Sequence, residues 1–185
     1  MDSVPYARVE APRAPLYQRI SLRMIVFGGL VLMLVGFPMY WYLDSAISGG
    51  VKDIGGGYKL VDLKAMSTFS FDQQRGTLED IPRQWRELDG QKVVMYGEMW
   101  NALSAGNGQL GSFELCYSIA KCCFQGPPQV QHFVFSRPAP GRELYYYPNL
   151  VKVTGVLHVN VVRDPGANKI SQIYQMDVEN IEPAG

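Results

Sequence analysis

Leu150-Val-Lys-Val-Thr-Gly-Val-Leu-His-Val-Asn-Val-Val162 is the stretch that decides the fold. Apolar and polar residues alternate along it, the two-residue period of a half-buried strand. Gly155 interrupts its middle, as happens where a strand coils sharply round a barrel. Working back, Lys92-Val-Val-Met-Tyr-Gly-Glu-Met-Trp100 repeats the design with Gly97 at its centre. Working forward, Asp164-Pro-Gly-Ala-Asn168 turns the chain into a last strand over 173–178.

The remaining segments read as short strands as well. Residues 58–71 alternate enough for one strand or two, and 113–119 and 131–135 supply two more. A polar, Gly-rich connection spans 104–111, and 138–142 form a turn. Between the first strands, Thr77-Leu-Glu-Asp-Ile-Pro-Arg-Gln-Trp-Arg-Glu-Leu88 reads as a short helix, with Pro82 in its first turn and acids near its start. Asp89-Gly90 then turns the chain. Five or six short strands, one short helix and no βαβ alternation predict a mainly β fold, a small antiparallel barrel of the OB type.

Residues 24–43, from Met24 to Leu43, carry no charge. As a helix they would rise roughly 30 Å, the depth of a bilayer core. Tyr40, Trp41 and Tyr42 stand at one end, where amphipathic rings favour the headgroup level. This predicts a single transmembrane helix contacting the lipid bilayer. Arg8, Arg13, Arg19 and Arg23 precede it, which places the N-terminus in the cytoplasm and the C-terminal domain outside the inner membrane. A cleaved signal peptide is the alternative, with Ala46-Ile-Ser48 as a poor cleavage site. The expected organisation is a cytoplasmic tail (1–23), a membrane helix (24–43), a Gly-rich tether (44–57) and an exported β domain (58–185).

The chain has 185 residues, zero formal net charge and 18% charged residues, against roughly 25% in soluble proteins. No global field attracts nucleic acid, and the dispersed basic residues form no groove for it. With two histidines, a Ser-His-Asp site is hard to assemble, and neither paired carboxylates nor a phosphate-cradling loop stand out. Catalysis therefore has no supporting constellation.

All three cysteines lie in Cys116-Tyr-Ser-Ile-Ala-Lys-Cys-Cys123, followed by Phe124-Gln-Gly-Pro-Pro128. Three readings stand. In an oxidising compartment Cys116 could bridge Cys122 or Cys123, a structural disulfide across a turn. Cys116, Cys122, Cys123 and His132 could together hold zinc or copper. The vicinal pair could be a thiol-redox site, with Lys121 as its nearby cation. His132 and His158 fall within strands and read as strand-face residues. Tyr145-Tyr-Tyr147 is either an exposed recognition edge or surface cover.

Ile81-Pro-Arg-Gln-Trp-Arg-Glu-Leu88-Asp89-Gly90-Gln-Lys-Val93, Cys122-Cys123, Pro127-Pro128, Val151-Lys-Val-Thr-Gly155-Val-Leu157 and Tyr174 together resemble an uncharacterised bacterial exported family. The resemblance covers roughly 77–182. It implies an OB-like fold, export or membrane attachment and no established activity, with an association to ABC-type export or lipoprotein-release systems. Many members carry a His two positions after the cysteine. Here Phe124 and Gln125 follow Cys123, which removes that ligand from the metal reading. The functional expectation is a non-catalytic, membrane-anchored accessory or binding module of the cell envelope, within a membrane protein assembly. The alternative is a metal-binding or thiol-redox envelope protein using Cys116, Cys122, Cys123 and His132.

Overall fold

The computed structural model describes residues 22–47, 49–124, 128–167 and 169–184, the side chains of 22, 40–47 and 122–124 excepted. The chain divides into two units, Met1–Asp44 and Ser45–Gly185.

The first unit contains helix α1, Leu22–Ile47, with Pro38 inside it. Its described side chains, 23–39, are exposed apart from Gly36. Among the described residues no helix is long and apolar enough to cross a membrane, and the expected transmembrane helix is corrected accordingly. The side chains of Tyr40, Trp41, Tyr42 and Leu43, expected as anchors with Met24, lie outside the described residues.

The second unit is built on one seven-stranded sheet: β1 (Val51–Asp53), β2 (Tyr58–Val61), β3 (Gln91–Gly106), β4 (Gln109–Cys116), β5 (Val134–Pro138), β6 (Leu150–Asp164) and β7 (Lys169–Pro183). The strand order is β1-β2-β3-β4-β5-β7-β6, and β3 also pairs with β6. The sheet is mixed, because β2–β3 and β5–β7 run parallel. The expectation of a small antiparallel OB-like barrel is therefore corrected. Parallel neighbours need a crossover rather than a hairpin. Residues 62–90 provide one between β2 and β3, and the whole of β6 intervenes between β5 and β7.

That crossover holds more helix than expected. Asp62 caps α2 (Leu63–Met66), accepting from the backbone N–H of Lys64 and Ala65 at 2.9 and 3.2 Å. The predicted helix over 77–88 resolves into a 3₁₀ turn at Leu78–Asp80 and α3 (Arg83–Arg86). Ile81, Trp85 and Leu88 bury their side chains in the core. The segment expected as a tether, 44–57, carries β1. Its Gly50 is buried at φ +79°, and a Cβ there would come within 2.9 Å of the Trp85 ring.

The two glycine-centred strands form as expected and pair with each other, Val93 opposite Gly155 and Gly97 opposite Val151. At Gly155 the β6–β7 register shifts. A Cβ there would collide with the Asp177 carbonyl oxygen, and one on Gly97 would lie 2.6 Å from that of Cys116. Close backbone approach accounts for both glycines. The connection expected over 104–111 is instead the tip of a β3–β4 hairpin. Gly106 pairs with Gln109 around Asn107 and Gly108, both at positive φ (51° and 76°). Asn-Gly supplies that geometry cheaply and matches the twist of the flanking strands.

The strand expected over 113–119 stops at Cys116. Ile119–Phe124 forms a short helix, α4, where a turn was expected. Glu98 Oε2 accepts from the Ile119 N–H at 2.7 Å, one of the donors a helix start leaves open.

Candidate functional site

The cysteine segment is where the sequence directs attention first. Cys116 is buried at the end of β4, its Sγ 3.6 Å from the Glu98 carbonyl oxygen. Cys122 and Cys123 fall on α4, and their side chains lie outside the described residues. His132 lies in a 3₁₀ turn, Val130–His132, rather than a strand. Its Nδ1 is buried without a hydrogen-bond partner among the described residues, and burial pushes its pKa down. Among the described residues no three His, Cys, Asp or Glu side chains come together as a metal site. Cys116 is the one cysteine whose side chain is described, so the disulfide and thiol readings fall outside the described residues too.

His158 belongs to a different arrangement. Its Nε2 lies 3.2 Å from Asp177 Oδ2, and Asp177 Oδ1 accepts from Arg137 Nε at 2.8 Å. Arg137 first, then His158, holds the Asp177 carboxyl below its ordinary range. On the other side, Asp89 Oδ1 stands 3.9 Å from His158 Nδ1 and accepts from the Val159 N–H at 2.9 Å. The cluster ties the turn before β3 to β6 and β7 and reads as a brace. Of the three tyrosines, Tyr145 and Tyr146 are exposed, while Tyr147 packs against the core.

The structure draws attention to residues that the sequence does not single out as a site. Register sets Trp100 opposite Glu114, Glu114 opposite Phe135 and Phe135 opposite Gln175. Residues directly opposite one another share a face, their Cβ atoms roughly 4.5–5.5 Å apart. One position away, Met99, Leu115 and Val134 form the matching row on the core face, all buried. The outward row opens onto a recess of about 250 Å³ lined by Trp100, Glu114, Gln129, Phe133, Phe135 and Tyr174, among others.

Two groups in this lining are chemically unusual. Glu114 is half-buried, and desolvation alone raises its carboxyl pKa. A charged neighbour or a hydrogen bond to its ionised form would pull the other way, and none among the described residues does so. Tyr174 is fully buried, its hydroxyl has no partner among the described residues, and burial pushes its pKa far up. A ring of amides braces the flank. Gln131 Oε1 accepts from Gln73 Nε2 at 3.0 Å, and Gln131 Nε2 donates to the Phe69 carbonyl at 3.3 Å. Gln73 Oε1 accepts from the Val130 N–H at 3.0 Å. These bonds hold the turn that carries Gln129 and Phe133 beside the recess.

Glu114 sits between Phe113 and Leu115, where an outward charge on a half-buried strand is ordinary. Its aromatic company comes from β3 and β5, which only the pairing register reveals.

No family model matches the chain, and no curated protein does. A similar solved structure is that of a DUF3299 family protein from Pseudomonas aeruginosa, 17% identical with a TM-score of 0.44. The alignment covers 54% of this chain and 65% of the other, so this chain spans somewhat less than two thirds of that protein. The neighbour belongs to a family of unknown function.

Proposed function

We propose that the chain is a non-catalytic accessory or binding module of a cell envelope, held at a membrane, whose β unit presents the Trp100–Glu114–Phe135 recess to its ligand or partner. The observation that carries this reading is the recess itself, a concavity in which the aromatic side chains of Trp100, Phe133, Phe135 and Tyr174 stand beside the polar Glu114, Gln129, Ser171 and Gln172, so that apolar wall and convergent polar groups meet in one place. The exposed apolar side chains of α1 support the membrane location, because such a surface gains by being covered. The partner suggested by the family resemblance is an ABC-type export system, with the β unit on the extracytoplasmic side.

Photo-crosslinking tests this reading. A benzophenone amino acid replaces Trp100 in the full chain, and a second variant carries it at the exposed Glu79. The expected result is that the protein fractionates with membranes and that Trp100 alone gives one discrete adduct. Recovery in the aqueous fraction, or the same adduct from both positions, overturns it.

A metal- or thiol-handling envelope protein is the second reading, favoured by the unpartnered Nδ1 of His132. Stoichiometric zinc or copper in the purified chain, lost in His132→Ala, would establish it in place of the first.

A further inference from the structure

We propose that the recess binds an alkylammonium group, with the Glu114 carboxylate as counter-ion and the rings of Trp100, Phe133 and Phe135 as the surrounding wall. This rests on the reading of the recess as a binding site and names the chemistry of its guest.

Glu114 carries a half-buried carboxyl on which desolvation alone acts, and among the described residues no cation pairs with it. An ionised carboxylate taken partly out of water and left unpaired is costly, and a cation entering the recess removes that cost. The rest of the wall suits the same guest. Aromatic faces carry negative potential and attract cations, quaternary and alkylated ammonium groups in particular. The β3–β4–β5 register places Trp100 and Phe135 on either side of Glu114 on one face. Tyr174 also borders the recess. A volume of about 250 Å³ accommodates a headgroup-sized ammonium. Such a group has two sources here, a free small amine or the ethanolamine headgroup of a lipid.

The test uses the full chain labelled with 5-fluorotryptophan, whose three tryptophans give separate fluorine resonances. Tetramethylammonium and ethanolamine are titrated at constant ionic strength, with tert-butanol as an uncharged counterpart. The expected result is a saturable shift of the Trp100 resonance with both ammonium probes and none with tert-butanol. Glu114→Gln, folded by its circular dichroism and melting curve, should bind at least tenfold more weakly, and Lys169→Ala, outside the recess, should bind as the parent does. Vesicles of phosphatidylglycerol with and without phosphatidylethanolamine separate the sources. A Trp100 shift that requires the ethanolamine lipid assigns the headgroup, and a shift with free amines alone assigns a small amine. No saturable shift, an equal shift with tert-butanol, or unchanged affinity in Glu114→Gln overturns the inference. A discrete crosslink from Trp100 together with such a failure leaves the binding-module reading standing and removes only the ammonium guest.

Discussion

Two rows of side chains on the same three strands face opposite ways and behave differently. Met99, Leu115 and Val134 lie on the core face, all buried. Trp100, Glu114 and Phe135, one position on along each pairing, line a recess containing a carboxyl without a counter-ion among the described residues. A slip of one residue in register would exchange the rows. The core row makes that slip prohibitive, so the apolar row holds the outward row in place. Stability and the proposed binding are thus separated by one residue along each strand, which makes the comparison testable by substitution.

The largest effect is expected on the core side. Leu115→Ala should cost about 2–5 kcal/mol in urea denaturation, the transfer loss plus the cavity left behind. Glu114→Ala, its neighbour, should cost far less. Equal losses would break the distinction between the two faces. Gly155→Ala comes next. The new Cβ meets the Asp177 carbonyl oxygen, which is backbone and cannot swing aside, so β6 must move off β7. Such overpacking costs about 1–3 kcal/mol. Hydrogen exchange should show β6–β7 amides losing protection before those of the β3–β4 hairpin, and uniform loss would contradict the local origin of the strain.

These positions also show what could be read in advance. Alternation marked 150–162 and 92–100 as strands, and Gly97 stood out as a bulge or a point of close approach, whereas Gly155 suggested a barrel coil. Both signals are local. The parallel pairings were not legible, because the direction in which β5 meets β7 depends on chain that returns after the whole of β6. Asn107-Gly108 is a strong hairpin signal, yet surrounding glycines made it resemble an open connection. The cysteine segment looked like a turn because Pro127 and Pro128 follow it. Ile119-Ala-Lys-Cys-Cys-Phe124 is nevertheless long enough for one helical run, started by a carboxylate from β3. The recess was the least legible feature. Each of its residues is ordinary within its own segment, and only register assembles them.

Tyr174 sharpens the comparison from between the rows, since it is fully buried yet lines the recess. A buried hydroxyl without a partner costs about 1–3 kcal/mol. Tyr174→Phe removes the group while keeping the ring, and should raise stability by about 1 kcal/mol, visible as a higher midpoint in urea. A loss of stability would mean that the hydroxyl is satisfied in solution, by water held in the recess.

The smallest effect belongs to Glu114 itself and is read best as a pH dependence. Burial raises its pKa in the folded chain above the value near 4.3 of an unfolded chain. Folding therefore favours the neutral acid. That contribution is fully present below the unfolded pKa and is lost as pH rises through the folded value. Asp177, whose carboxyl is held down by Arg137, acts in the opposite direction, with a contribution that is lost as pH falls. The two overlap in the parent protein, so the informative quantity is the stability of Glu114→Gln minus that of the parent. Glutamine cannot ionise and escapes the desolvation cost of the charge. The difference should shift in favour of the variant as pH rises from about 4 and level off once Glu114 is ionised. A difference that stays flat with pH would mean that the carboxyl is as well hydrated as one on the open face of the sheet, and would erase the contrast between the recess and ordinary outward surface.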